Sequence, residues 1–185
     1  MEIILASKSP RRRELLAKLG VEFKIVPAVG EEVVVSGLTA DKIAQSIATA
    51  KANEIFNMYP DCAVIGADTI VVLNGEILQK PKDDEDEYLM LTKLSGREHI
   101  VYTGYALLTK DKKIYGVEAS TVVFNKLSEQ TKRAYVKSGL GLDKAGGYGI
   151  QDGYGLVKET KGSYDNIVGF PTEVFAKLLK EFNLK

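Results

Sequence analysis

Hydrophobic and polar positions change period several times along this chain, and each change marks an element. Ile3 to Ala6 is a short unbroken apolar run, read as a strand. In Ser7-Lys8-Ser9-Pro10-Arg11-Arg12-Arg13-Glu14-Leu15-Leu16 the period becomes helical, with Leu15, Leu16 and Leu19 on one face. Ser9 suits the N-cap, and Pro10 suits the first helical position, where its missing N–H costs nothing. Glu22 to Val26 reads as a second strand, followed by a loop and a short β-rich patch at Val33 to Val35. From Thr39 the pattern is helical again, capped by Thr39 or Asp41, with Ile43, Ile47, Ala48, Ile55 and Phe56 on one face and Lys51 at or near its border.

Ala63 to Ala67 is unbroken and apolar, as in a buried central strand, and is expected to end on Asp68-Thr69. Ile70 to Leu73 and Glu76 to Leu78 flank Asn74-Gly75, a strong hairpin signal. Lys80-Pro81-Lys82 then precedes a helix that opens on Asp83-Asp84-Glu85-Asp86-Glu87, carries Leu89, Leu91 and Leu94, and stops at Ser95-Gly96. Ile100 to Thr109 and Lys113 to Lys126 alternate as an antiparallel hairpin joined at Asp111-Lys112. Ser128 caps a helix through Ser138. A glycine-rich stretch from Gly139 to Gly155 holds seven of the chain's 17 glycines. Gly155 to Lys158 reads as a strand, and the chain closes with a turn at Gly169-Phe170-Pro171 and a helix carrying Val174, Phe175, Leu178, Leu179 and Phe182. There is no internal repeat and no low-complexity linker. Strands interleaved with helices predict an α/β fold.

Composition narrows the function. With 185 residues, 45% of them hydrophobic, the chain is expected to form one domain over 1–185, with room for two lobes. Lys+Arg and Asp+Glu are both 25, a balance that speaks against nucleic-acid wrapping and membrane-surface binding. The N-terminus lacks a signal-peptide pattern and no apolar run is long enough to cross a bilayer, so a cytoplasmic protein is expected. Cys62 is the single cysteine, at the head of an apolar run, and is read as a buried structural thiol. His99 is the only histidine, which removes histidine-rich zinc sites and most serine or cysteine triads. Chemistry here must use carboxylates and lysines.

Several polar residues are not explained by a core pattern. Arg11, Arg12 and Arg13 fall in the first turn of a helix, where each cation is disfavoured by about 0.3–1 kcal/mol. A bound anion reverses that sign, because the N–H groups and guanidinium forks both suit phosphate. A solvated basic turn that pairs with Glu14 and other carboxylates is the alternative. Asp68 ends a strand of an α/β sheet, the usual place for ligands, and is the first candidate for a catalytic carboxylate; a turn cap through Thr69 is the competing reading. Glu31-Glu32 can supply a second carboxylate, and with Asp68 an oxygen-rich site suited to Mg²⁺ or Mn²⁺. Lys51, Lys80 and Lys144 each lie beside a turn or helix border, where plain solvent exposure is the ordinary explanation. The acidic run at 83–87 is explained by the helix dipole without a metal. The glycine-rich stretch is neither a dinucleotide fingerprint nor a Walker loop.

Taken together the motifs resemble the Maf family of nucleoside triphosphate pyrophosphatases, the septum-formation inhibitor group. The resemblance rests on Leu5-Ala6-Ser7-x-Ser9-Pro10-Arg11-Arg12-x-Glu14-Leu15-Leu16, Glu31-Glu32, Lys51-Ala52, Gly66-Ala67-Asp68-Thr69 and Lys80-Pro81. It continues through Leu94-Ser95-Gly96-x-x-His99-x-Val101-x-Thr103-Gly104, Asp143-Lys144-Ala145-Gly146-Gly147-Tyr148-Gly149-Ile150-Gln151 and Gly162-Ser163-Tyr164-x-Asn166-x-Val168-Gly169-x-Pro171. It implies an α/β fold like the inosine triphosphate pyrophosphatases (Maf/Ham1): a mixed twisted sheet flanked by helices, in two lobes around a central cleft. It also implies hydrolysis of a nucleoside triphosphate to the monophosphate and pyrophosphate with a divalent cation, Mg²⁺, Mn²⁺ or Co²⁺.

By the same resemblance Asp68 is the catalytic base and, with Glu32, a metal ligand. Ser7, Arg11, Arg12, Lys51 and Lys80 are phosphate ligands, and Thr69, Lys144 and Gln151 are further substrate contacts. Arg11 after Pro10, Thr69 after the base, and Gln151 match the branch that takes dTTP and UTP, whereas the branch for methylated GTP usually has a tryptophan after that proline. The Gly30-Glu31-Glu32 loop departs from the more frequent aspartate-glutamate, so Glu31 competes with Glu32. House-cleaning of nucleotides and a role in septum formation follow as expectations, as does a homodimer, with which the long hairpin is compatible. Two other classes compete: a nucleotide-binding regulator of cell division with incidental hydrolysis, and a nucleotidyltransferase. Product analysis separates all three.

Overall fold

The computed structural model describes residues 1–30 and 37–184. The expected β-rich patch at 33–35, and Glu31 and Glu32, lie outside the described residues. The elements are β1 (Ile3–Leu5), α1 (Pro10–Ala17), β2 (Phe23–Ile25), α2 (Ala40–Met58), β3 (Ala63–Leu73), β4 (Glu76–Leu78), α3 (Asp84–Leu94), β5 (Glu98–Leu108), β6 (Lys113–Phe124), α4 (Glu129–Ser138), β7 (Val157–Lys161), α5 (Tyr164–Val168) and α6 (Thr172–Glu181). Two 3₁₀ turns, Ala145–Gly147 and Ile150–Asp152, interrupt the glycine-rich stretch. The described strands form a seven-stranded sheet ordered β2-β1-β3-β5-β6-β7, with β4 paired to β3. Pairing of β1 with β2 and β3 is parallel, and that of β3 with β4 and β6 with β7 is antiparallel. The sheet is therefore mixed, as expected.

The chain forms two compact units. One comprises Met1–Thr69, Thr103–Glu118 and Gly169–Lys185; the other comprises Ile70–Tyr102 and Ala119–Val168. In the first, Ile4, Val64, Ala106 and Leu108 pack with Ala52 and Ile55 of α2. α2 comes unusually close to the sheet. A Cβ on Gly66 of β3 would stand 2.4 Å from the carbonyl oxygen of Ala48, and one on Gly104 of β5 would stand 2.1 Å from that of Ala44. Ala44, Ala48 and Ala52 are wholly buried, so small residues on both surfaces allow backbone-to-backbone packing.

The expected end of a strand at Asp68 is corrected: β3 runs unbroken for 11 residues, through Asp68 and Thr69 to Leu73. Nothing between Ala67 and Leu73 breaks a strand, and Thr69, Ile70, Val71 and Val72 favour one. Asp68 alone disagrees, and its charge is met by a partner described below. Cys62 is half-buried rather than buried, beside the Glu2 carboxylate at 3.8 Å, and burial followed by that negative charge pushes its thiol up.

The second unit packs Leu91 and Leu94 of α3, Val101, Val122, Phe124, Tyr135 and Tyr148 around one core. Here the reading of α3 is corrected. Leu89, counted with Leu91 and Leu94, is exposed, and Glu87, read as one of five acids favoured there by the helix dipole, is wholly buried. Positions 87, 91 and 94 share one helical face, and position 89 lies off it. Among the described residues neither Glu87 carboxyl oxygen gains a well-formed hydrogen bond, although the Gly141 backbone favours its charged form. Burial, reinforced by Asp84 and opposed by Lys144, pushes this carboxyl up to about 7. His99 is also buried, with Nε2 at 2.6 Å from the Tyr148 hydroxyl and edge-on contacts to Phe124 and Tyr148. Burial pushes it down to about 4, so it is a neutral core residue at physiological pH.

Two measurements check these packing claims. Gly104→Ala is expected to destabilise by about 1–3 kcal/mol or more in urea unfolding, since backbone rather than a movable side chain blocks the new methyl. The second concerns pH. The native state keeps a proton on Glu87 that the unfolded chain releases above about 4.5, so this contribution is lost as pH rises through about 7. The native state withholds a proton from His99 that the unfolded chain takes up below about 6.5, so that contribution is lost as pH falls through about 4. The two slopes oppose each other between pH 4.5 and 6.5. Glu87→Gln removes the first, and its stability is expected to rise more steeply with pH than the wild type over that window. Above pH 8 it should exceed the wild type by about 1–3 kcal/mol.

Candidate active site

The strand order around β1 sets the place of the site. β1 connects through α1 to β2 on one side, and β2 connects through α2 to β3 on the other side of β1. Two right-handed crossovers that travel in opposite directions put their helices on opposite faces of the sheet, and the gap at the carboxyl end of β1 is a topological switch point. The β1–β3 register runs Ile3↔Ala63 to Leu5↔Ile65, so β1 stops level with Ile65, and Gly66 and Ala67 separate that level from Asp68. Asp68 is thus inside a strand, yet it stands just past the level at which its neighbour ends. Ser7 leaves the end of β1 at the same edge.

Asp68 is 7% exposed, and its Oδ1 accepts from Lys51 Nζ of α2 at 2.7 Å. The two side chains retain only 10% and 17% of their surface, which makes the pair expensive to break; removing one partner of a buried ion pair costs about 3–5 kcal/mol, and less where water reaches it. The expectation that Lys51 sits at the border of the α2 face is met, because that border is what faces β3.

Thr69 is next in the strand and leaves by the opposite face. There its Oγ1 accepts from Arg12 Nη2 at 3.1 Å and lies 2.9 Å from Thr103 Oγ1 of β5. Arg12 also donates from Nη1 to Ser7 Oγ at 3.3 Å and from Nε to the Gly169 carbonyl at 3.0 Å. One guanidinium therefore ties α1, the end of β1, β3 and the turn before α6. α1 begins at Pro10 as expected, with Ser9 as N-cap accepting from the Arg12 N–H at 3.5 Å. Arg11 is half-buried in its first turn. Thr103 and the Gly169 carbonyl were not among the candidate site residues read from the sequence. Both lie in motifs quoted above, but a backbone carbonyl and a buried threonine carry no chemical signature in a sequence.

Ser7, Arg12, Lys51, Asp68 and Thr69 are thus assembled within the first unit. Lys80, Lys144 and Gln151 belong to the second. Lys80 is exposed just after β4, and Gln151 is exposed in the 3₁₀ turn Ile150–Asp152. Lys144 Nζ lies 3.0 Å from Asp143 Oδ1 and 3.7 Å from Asp152 Oδ2, and donates to the Leu140 carbonyl. Among the described residues no three His, Cys, Asp or Glu side chains group as a metal site. Glu32, the other expected metal ligand, lies outside the described residues. Among the described residues no helix is long and apolar enough to cross a membrane.

Parallel strands, a switch point and polar side chains gathered there define the class: an α/β protein with its buried polar cluster where β1 ends. The chain belongs to the family of Maf-like proteins, which matches residues 2–182. It is 45% identical to a dTTP/UTP pyrophosphatase of Clostridioides difficile strain 630, over 98% of this chain and 95% of that protein. It is 42% identical to a dTTP/UTP pyrophosphatase of Aquifex aeolicus strain VF5, over 100% of this chain and 97% of that protein. Among solved structures the Staphylococcus aureus Ham1 protein superimposes with a TM-score of 0.47 and 20% identity, covering 68% of this chain and 71% of its own.

The geometry of Arg12 gives a direct expectation. Arg12→Lys keeps the charge but cannot place three donors on Ser7, Thr69 and Gly169 together. A loss of about 1–3 kcal/mol in urea unfolding is expected, and full retention of stability would show that the cross-tie is not structural.

Proposed function

We propose that this chain hydrolyses dTTP and UTP between the α and β phosphates, leaving the nucleoside monophosphate and pyrophosphate. The observation that carries this is the carboxylate of Asp68, held by Lys51 at the switch point. The relatives' activity and the arginine-rich start of α1 support the same reading.

In this reaction an oxygen–phosphorus bond forms from water, and the α–β bridging bond breaks, with its electron pair leaving on one phosphate group. Charge on the phosphates has to be matched, and the water has to be placed. We assign phosphate binding to Arg11, Arg12, Lys51 and Lys80. Ser7 Oγ accepts from the Ser9 N–H at 3.2 Å and from Arg12, which turns its hydroxyl hydrogen outward as a donor to a phosphate oxygen. Asp68 takes the role of orienting the water and accepting its proton, with Lys51 fixing one oxygen so that the other is aimed. Thr69 and Gln151 are assigned to substrate choice. Lys144, which donates to Asp143 and to the Leu140 carbonyl, is assigned to a further substrate contact.

A divalent cation belongs to the proposal as well. Asp68 and Glu32 are all-oxygen donors, which suit Mg²⁺, Mn²⁺ or Co²⁺, and such an ion, when bound, neutralises phosphate charge and eases departure of pyrophosphate. A cytoplasmic location, a homodimer and a role in septum formation remain expectations from the sequence.

The test is a product assay on a panel of nucleoside triphosphates with Mg²⁺ or Mn²⁺. Pyrophosphate with UMP or dTMP is expected; orthophosphate with a diphosphate would overturn the assigned bond. Asp68→Asn should fold, by its melting curve, and lose about 10²–10⁴-fold in kcat. A variant that keeps a tenth of the wild-type rate would remove Asp68 from the chemistry.

A further inference from the structure

Gln151 is exposed, and a glutamine amide is a poor selector when its backbone is loose. It carries a donor and an acceptor side by side, so it can pair with the N3–H and O4 of uracil or, turned over, with the N3 and amino group of cytosine. Discrimination needs the turn beneath it to be fixed, so that neighbouring groups decide which edge it meets.

The structure shows what fixes that turn. Tyr135 of α4 is wholly buried, and its phenol donates to Asp152 Oδ2 at 2.6 Å while accepting from the Gly149 N–H at 2.9 Å. These two residues bracket Ile150 and Gln151. One oxygen therefore clasps both ends of the turn, which also carries its own Asp152 N–H to Gly149 carbonyl bond at 3.1 Å. Lys144 lies 3.7 Å from the same carboxylate oxygen and balances its charge. The clasp is tightly filled: a Cβ on Gly149 would stand 2.4 Å from Asp152 Oδ2 and 2.8 Å from Lys144 Cε. The Tyr154 ring packs edge-on against Tyr135 with centroids 5.3 Å apart.

We infer that Tyr135 is a positioning residue for substrate selection: through Gly149 and Asp152 its hydroxyl holds the turn on which Gln151 meets the nucleotide base. This rests on the reading above that Gln151 contacts the substrate. Tyr135 touches no reacting atom, so its loss should relax the choice of base rather than slow the chemical step.

The experiment measures kcat and KM for UTP and CTP with Mg²⁺ in the wild type, Tyr135→Phe, Gln151→Ala and the double variant. Tyr135→Phe keeps the ring and removes only the clasping oxygen. Its UTP-over-CTP preference in kcat/KM is expected to fall about tenfold, through KM for UTP, with kcat for UTP within about threefold of the wild type. In the Gln151→Ala background it should change the preference no further. Asp152→Ala, which leaves the phenol packed but takes away its acceptor, is expected to give the same relaxation if Tyr135→Phe folds poorly. An unchanged UTP-over-CTP ratio in both variants, or an equal change with and without Gln151, overturns the inference while leaving the proposed reaction intact. A wild type that does not hydrolyse UTP, or does not prefer it to CTP, removes the reading on which the inference stands, and the inference with it.

Discussion

A carboxylate in the middle of an apolar strand is the constraint on which the first unit depends. Asp68 sits among residues of β3 that are almost all buried, and an unpartnered charge there would cost several kcal/mol. The compensating cation is Lys51, about three turns along α2, and it reaches Oδ1 only because α2 lies against β3 and β5 at backbone distance. Gly66 and Gly104 on the strands, with Ala44, Ala48 and Ala52 on the helix, permit that approach. The small residues are thus part of how the carboxylate is held, although none of them is polar.

The opposite face of the same strand is organised by Arg12. Three cations in the first turn of α1 oppose the helix dipole, and Arg12 is reconciled with that position by its bonds to Ser7, Thr69 and Gly169. The same turn bears Arg11, and together they place positive charge where β1 ends and backbone N–H groups point outward. Binding a polyanion there would turn an unfavourable helix start into a favourable one. Stability and the proposed chemistry therefore meet in one stretch of sequence.

The second unit solves a different problem. Its glycine-rich stretch gains order from outside itself through Tyr135 clasping Gly149 and Asp152 and through His99 on Tyr148, and from within through Lys144 between Asp143 and Asp152. The glycines supply the room these contacts need, since side chains at Gly149 or Gly141 would collide with Asp152 or with the Gly147 carbonyl and Glu87. His99 thus acts as a neutral core residue, and Glu87, a buried acid, balances its effect on stability with pH.

Local chemistry in the sequence determined where α1 and α4 start, because Ser9 with Pro10 and Ser128 act within one turn, and where α2 and α6 run, because their apolar periods are long. It also marked Asp68, Lys51, Arg12, Thr69 and Gln151 through their motifs. What it misjudged were matters of partnership. Asp68 looked like a strand end because a charge usually is one, and only Lys51, 17 positions earlier in the chain, allows β3 to continue. Glu87 read as one of five acids suited to the helix dipole, and only the packing of α3 chose it, rather than Leu89, for the interior. Thr103, the Gly169 carbonyl and Tyr135 acquired their roles from long-range hydrogen bonds. A motif specifies which side chains are present; which of them meet is decided when the tertiary structure sets the distance between segments far apart in the chain.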